Sequence, residues 1–250
     1  MAAPGAHDDA GALAALVRGA GSVVALTGAG ISVPSGIPDF RSPGTGMWEG
    51  VDPMEVAHID AWREDPARFW SFYGDRFQTL GDKLPNGAHE ALAQLERRGL
   101  LDGVITQNID MLHRKAGTRE VIEMHGSIAT SSCLACGASY ELEAVIARLG
   151  GAFAACDCGR PLKPDVVLFG EYLRADAIER ATRLVCAADL LLCIGSSLEV
   201  WPVGGLPGLT LDAGGQVAIV TQGTTPFDDR AALLLGGDVE DELRALVALL

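Results

Sequence analysis

What is scarce in this sequence of 250 residues removes several classes of protein. No stretch approaches the roughly 18 uninterrupted apolar residues that a membrane-spanning helix needs, so no membrane span is expected. Basic residues are few: 19 Lys and Arg stand against 33 Asp and Glu, a formal charge of −14. Phosphate neutralisation needs a basic face, which excludes a nucleic-acid surface, whereas a lysine-rich protein segment suits the sign. The first ten residues carry two aspartates and no basic cluster ahead of an apolar run, so a secretory signal is not expected and the chain reads as cytoplasmic. Six cysteines in a chain of this size do not make a disulfide framework. One further absence is local. The dinucleotide fingerprint G-x-G-x-x-G would need a third glycine after Gly28 and Gly30, and Val33 stands there, which disfavours an ordinary hydride-transfer dehydrogenase.

What is present begins with that same stretch, Thr27 through Arg41. It follows an apolar run over 22–26 that reads as a buried strand, so its glycines fall where a strand turns into its first helix or loop. Glycine lets a backbone approach a ligand closely, and free amide N–H groups at a helix start favour an anion. The loop from Gly28 to Gly50 is long enough to be functional.

Hydrophobic periodicity then predicts a first helix over 11–18, short aromatic-rich helices over 52–80 and an amphipathic helix over 86–98 closed by Gly99. The aromatics Trp62, Phe69, Trp70, Phe72, Tyr73 and Phe77 recur at three- and four-residue steps, the spacing of a packed stripe. A second buried strand over 104–106 delivers Gln107-Asn108-Ile109-Asp110 at its C-terminal end, where open α/β sheets bind ligands. Further strands are expected over 166–169, 190–194 and 217–220, with helices over 175–186 and 240–250. Strands alternating with helices describe an α/β fold, a Rossmann-like doubly wound parallel sheet.

That rhythm is interrupted between Ser131 and Lys163. Cys133-x-x-Cys136 and Cys156-x-Cys158 flank a helical stretch over 141–149, and each pair is followed by glycine, as the two knuckles of a four-thiolate zinc site require. Four cysteine ligands leave no open position, so the zinc would be structural. Cys186 and Cys193 lie in apolar runs and read as small buried hydrophobes. The whole chain is expected to form one catalytic domain: a core over about 8–40, 81–128 and 164–250, a cofactor loop and helical segment over about 41–80, and a zinc module over about 129–163. Nothing calls for more than a monomer.

The motifs GAGIS and GIPDFR, TQNID with Leu112-His113 and Ala116-Gly117, His125-Gly126, the cysteine pairs, PDVVLFGE and GSSLEV follow one another in the order seen in a known family. Together they resemble the sirtuins, NAD-dependent protein lysine deacylases, of bacterial type. The resemblance implies NAD as cofactor and acyl-lysine proteins or peptides as substrates. It places the cofactor turn at Gly28, Ala29 and Gly30, with Ser32 supporting the catalytic pocket, Phe40 as a mobile aromatic shield, and Arg41 on the pyrophosphate. Gln107 and Asn108 would bind the nicotinamide ribose and a nearby water, while Ile109 and Asp110 would hold the carboxamide. Gly195, Ser196 and Ser197 would hold phosphate and adenosine ribose, with Thr221 and Val239 completing that end. His125 would be the general base on a ribose hydroxyl. Val167 and the turn Phe169-Gly170-Glu171 would take the acyl-lysine peptide as an added strand.

Three positions depart from the commonest family pattern: C-x-C replaces C-x-x-C in the second knuckle, Val33 replaces a frequent Thr, and Thr221 stands where Asn is usual, with Gln222 as a possible substitute. Tyr73 and Arg76 form a Y-x-x-R pair on one helix face, the spacing that binds acidic acyl groups in one sirtuin branch. Asp39 before Phe40 is instead the deacetylase-like residue, so acetyl removal is favoured over succinyl or malonyl. A protein ADP-ribosyltransferase or a non-catalytic ADP-ribose-binding module would use the same pocket, although simple binding does not need a general base.

Overall fold

The computed structural model describes residues 6–38, 52–151 and 153–250. Six strands form one parallel sheet: β1 (Val23–Thr27), β2 (Gly103–Thr106), β3 (Val121–Glu123), and, after an inserted unit, β7 (Leu190–Ile194), β8 (Gln216–Val220) and β9 (Leu233–Leu235). The inserted unit is a three-stranded antiparallel sheet of β4 (Gly126–Ser132), β5 (Ser139–Glu141) and β6 (Lys163–Val166).

The parallel sheet runs in the order β3-β2-β1-β7-β8-β9. From β1 the chain winds outward to β2 and β3, then returns to the other side of β1 for β7, β8 and β9. The topological switch point therefore lies between β1 and β7, and a doubly wound sheet opens its ligand crevice at that place. Register makes the strand ends level there, since Thr27 pairs with both Thr106 and Ile194.

The central strands are apolar on both faces, as parallel strands covered by helices must be. With a side-chain period of two, Val23 and Ala25 join one core with Leu13, Leu92, Leu95 and Leu243 from helices Ala6–Gly19, Gly87–Arg97 and Val239–Leu249. Val24 and Leu26 point the other way, onto Ala181 and Val185 of helix Ala175–Ala187 and beside Leu206 of helix Leu206–Asp212. A third cluster joins the inserted sheet to the aromatic helix Pro66–Gly81: Trp62, Phe69, Trp70 and Phe77 pack with Ile128, Val145, Leu162 and Leu168. The Trp62 and Trp70 indole N–H groups both donate to Leu162 O, at 3.1 and 2.9 Å. The aromatic stripe is thus packing, and it fastens one unit to the other.

Two sequence expectations need correction. The strand expected over 166–169 does not join the parallel sheet: the paired residues are Lys163–Val166, antiparallel to β4, because alternation reveals a strand but not its partner. Cys193 is buried in β7 as expected, but Cys186 is exposed. The short strands β3 and β9, three residues each, were not expected at all. Among the described residues no helix is long and apolar enough to cross a membrane.

Candidate active site

β1 ends at Thr27 and turns into a 3-10 helix, Ala29–Ser35, that crosses the loop leaving β7. The Gly28 N–H donates to Ile194 O at 3.0 Å and the Gly30 N–H to Gly195 O at 2.8 Å. A Cβ on Gly30 would stand 2.7 Å from Gly195 Cα, and one on Gly195 would stand 2.3 Å from the Ile31 nitrogen. Gly195 also has φ of +59°, in the left-handed region. These glycines let two backbones cross at the switch point, and Ala29 sits half-buried between them.

The residues after β2 anchor two neighbouring hydrogen-bonded sets. The Gln107 side-chain amide donates to Ser196 Oγ at 3.0 Å. The Asn108 amide divides its two hydrogens between Gly28 O and Ser32 Oγ, each at 3.1 Å, which leaves its carbonyl oxygen to face a ligand. Ser32 in turn donates to Asp110 Oδ2 at 2.6 Å, while the Leu112 N–H donates to Oδ1 at 2.9 Å. Burial pushes the Asp110 carboxyl up, and the Ser32 and Leu112 hydrogen bonds pull it back toward the charged form. Ile109 is half-buried, and its carbonyl accepts the Ile128 N–H at 3.1 Å, tying the motif to β4.

His125 stands at the corner between β3 and β4. Its Nδ1 lies 2.9 Å from Gln107 O. A carbonyl only accepts, so Nδ1 carries the hydrogen and Nε2 keeps its lone pair. Burial pushes the imidazole pKa down, more than the Gln107 bond raises it, so the ring is neutral at pH 7.

One participant escaped the sequence reading. His89 is fully buried, with Nε2 3.5 Å from Ser32 Oγ and Nδ1 accepting the Asn86 N–H at 3.4 Å. Burial lowers it to about 4. Its ring lies 4.9 Å from that of His113, whose Nε2 is 2.9 Å from Thr27 Oγ1. The available signal was weak: His89 is only the N3 residue of a capping box opened by Asn86.

Beyond β6, where the resemblance places the peptide, the Val167 N–H donates to His125 O at 2.8 Å. Phe169 is a parallel bridge partner of His58, and both its backbone groups are used, on Ala57 O and the Ile59 N–H, each at 2.9 Å. An added strand has Val167 C=O and the Gly170 backbone to meet. Gly170 has φ of +83°, and a Cβ there would stand 2.4 Å from His58 Nε2. Tyr73 is buried against Phe69 and Phe77, whereas Arg76 is exposed with its guanidinium 3.7 Å over the Phe72 ring.

In the inserted sheet the sulfurs of Cys133, Cys136, Cys156 and Cys158 all lie within 4.8 Å of one another. Cys133 and Cys158 are 3.6 Å apart, Cys136 and Cys156 3.5 Å. Tetrahedral Zn–S bonds of about 2.3 Å separate sulfurs by about 3.8 Å, so the four thiols fit a zinc ion despite the shortened second knuckle. The Tyr140 hydroxyl 3.4 Å from Cys156 draws that thiol down to about 6.

A profile of the Sir2 family matches residues 28–202. The chain belongs to the Sir2 family. Among its relatives, the NAD-dependent protein deacetylase of Sulfolobus acidocaldarius is 44% identical over 93% of this chain and 92% of its own, and that of Thermotoga maritima is 42% identical over 90% and 91%. A solved Sir2 structure with a p53 peptide and NAD+ superposes with a TM-score of 0.88 at 40% identity, covering 94% of this chain and 96% of that one. A Sir2 enzyme bound to a propionylated peptide gives 0.86 with the same coverage.

In this Sir2-family chain the remaining sequence candidates lie as follows. Ser197 is exposed at the mouth of the β7 loop. Thr221 directly follows β8, and its N–H donates to Leu235 O at 3.0 Å, while Gln222 beside it is exposed. Val239 opens the last helix with its side chain in the core. Val33 is exposed. Asp39, Phe40 and Arg41 lie outside the described residues.

Proposed function

We propose that this chain removes acyl groups, acetyl foremost, from protein lysine side chains at the expense of NAD, giving free lysine, nicotinamide and O-acyl-ADP-ribose. The observation that carries the reading is the meeting of two hydrogen-bonded sets at the switch point, adjacent through the Gln107–Asn108 peptide: Asn108, Ser32 and Asp110 form one, and Gln107, Ser196 and His125 the other, with His125 presenting Nε2. These residues fit a dinucleotide. The glycines let the turn after β1 and the turn after β7 cross backbone to backbone at the switch point, beside these polar groups.

When bound, NAD supplies a ribose carbon that accepts the acyl oxygen and a cationic leaving group, which an amide oxygen needs because it is a poor nucleophile. The protein's part is positioning and proton transfer. Asp110, held by Ser32 and the Leu112 N–H, would accept from the carboxamide N–H groups. Asn108, with both amide hydrogens committed, offers one fixed carbonyl acceptor to a ribose hydroxyl or water. His125 takes a proton at Nε2 while Nδ1–H stays on Gln107 O. Four thiols gathered for a metal rather than paired as disulfides support a cytoplasmic setting.

The test is mass spectrometry of acetyl- and succinyl-lysine versions of one peptide incubated with the protein and NAD. Loss of the acetyl group with release of nicotinamide is expected, and acetyl should exceed succinyl in kcat/KM. Transfer of labelled ADP-ribose to protein, with the acyl group intact, would overturn the reading in favour of an ADP-ribosyltransferase.

A further inference from the structure

Glu171 reads from the sequence as a residue facing the substrate, but its carboxylate is engaged inward. Glu171 Oε2 accepts the Leu168 N–H at 2.9 Å and lies 2.8 Å from Lys163 Nζ. Lys163 is 8% exposed, and its ammonium also donates to Pro164 O at 3.2 Å and Val166 O at 2.8 Å. All three ammonium hydrogens thus have acceptors, the condition under which a buried lysine keeps its charge at tolerable cost. A pair of this kind is a costly way to gain stability, and apolar residues would serve as well.

We propose that Lys163 is a positioning residue for the acyl-lysine peptide: by holding Glu171 it fixes the Phe169-Gly170-Glu171 turn in the shape that receives the substrate backbone. The turn is pinned from three sides. Val167 N–H is tied to His125 O, Phe169 is tied to Ala57 and Ile59, and Glu171, at the far end, is tied to Lys163 through its side chain. The first two ties use backbone atoms and do not depend on residue type. The third is set by two side chains, and without it the C-terminal half of the turn is left with bonds made inside the turn itself, Glu171 N–H to Leu168 O at 3.0 Å and Leu168 N–H to Glu171 Oε2 at 2.9 Å. Lys163 belongs to β6, whose pairing with β4 sets Lys163 opposite Ser132, next to Cys133. The same strand therefore carries the order of the cysteine sheet to the substrate edge, and an edge strand held at both ends binds a peptide without first having to be ordered.

This inference rests on the lysine-deacylase reading, and the experiment separates the two. Lys163→Met keeps the stem and removes the charge. Steady-state kinetics on one acetyl-lysine peptide should give a peptide KM about tenfold higher, the loss expected for a charged hydrogen bond, with kcat and the KM for NAD within about twofold. Anisotropy of a labelled acetyl-lysine peptide should show the same tenfold weakening without turnover. Lys163→Arg should restore most of the affinity, and zinc content should stay at the parent value in both. If Lys163→Met does not fold, Lys163→Gln, which keeps a donor for the backbone carbonyls but no charge, makes the same prediction. An unchanged peptide KM and affinity in a folded variant would overturn the inference, as would a parallel fall in kcat, NAD affinity and melting temperature. A parent protein that releases no acyl group overturns the wider reading instead.

Discussion

Two facts about one ring suit His125 to the proposed role of general base. Its Nδ1 hydrogen is committed to Gln107 O, and burial keeps Nε2 unprotonated. Removing the ring removes the base without touching the hydrophobic clusters, so His125→Ala should lower deacylation by about 10²–10⁴-fold, the usual worth of a general base. The melting temperature and zinc content should stay at parental values. Because the imidazole is shifted below its ordinary value, the acid limb of kcat/KM for the parent should have its half-maximal point below pH 6.5. A half-maximal point above 6.5 would show that the ring is not the group that titrates. The residues of this set were legible where a strand delivers them: Gln107 to Asp110 directly follow β2, and Gly28 and Gly30 follow β1. His89 and Lys163 were not legible, because a lone histidine on a helix or a lone lysine in a strand carries no local sign of what faces it across the fold.

At the scale of elements, the four cysteines close a sheet too small to hold itself. β4, β5 and β6 bury one face on the aromatic helix, and Cys133 and Cys156 lie within that buried cluster. Zinc would supply the remaining cohesion, as it does wherever a structural site substitutes for core. Zinc removal by a strong chelator at neutral pH should therefore be followed by a red shift in tryptophan emission, since Trp62 and Trp70 both hydrogen-bond to Leu162, four residues beyond Cys158. Peptide binding should be lost in step with zinc. Chelation that strips the metal but leaves emission and peptide affinity unchanged would show that the sheet stands without it. The knuckles themselves were plain in the sequence, because cysteine spacing is a covalent fact. The partner of β6 was not, because pairing depends on the inserted sheet as a whole, including the register shift in β4 between Gly126 and Ser131.

For the molecule as a whole, the buried histidines couple the site to stability. His89 and His113 both have folded pKa values depressed by burial, His89 to about 4 and His113 well below the ordinary 6.5. The unfolded chain therefore binds more protons than the folded one below pH 6.5, and stability that is full above that value is lost as pH falls toward the folded pKa values. Between pH 7.5 and 5.5 His89 should cost on the order of 1 kcal/mol of unfolding free energy, and His113 and His125, depressed in the same direction, add losses of the same sign. Asp110 has the opposite sign: its folded pKa is raised, so its contribution is present at low pH and fades as pH rises through that value, which offsets part of the histidine loss. Other carboxylates matter little in this window because their unfolded pKa values lie near 4. Urea unfolding at the two pH values measures the difference. His113→Gln should reduce it, and a parent protein whose stability is unchanged or higher at pH 5.5 would show that these rings are not held neutral by the fold.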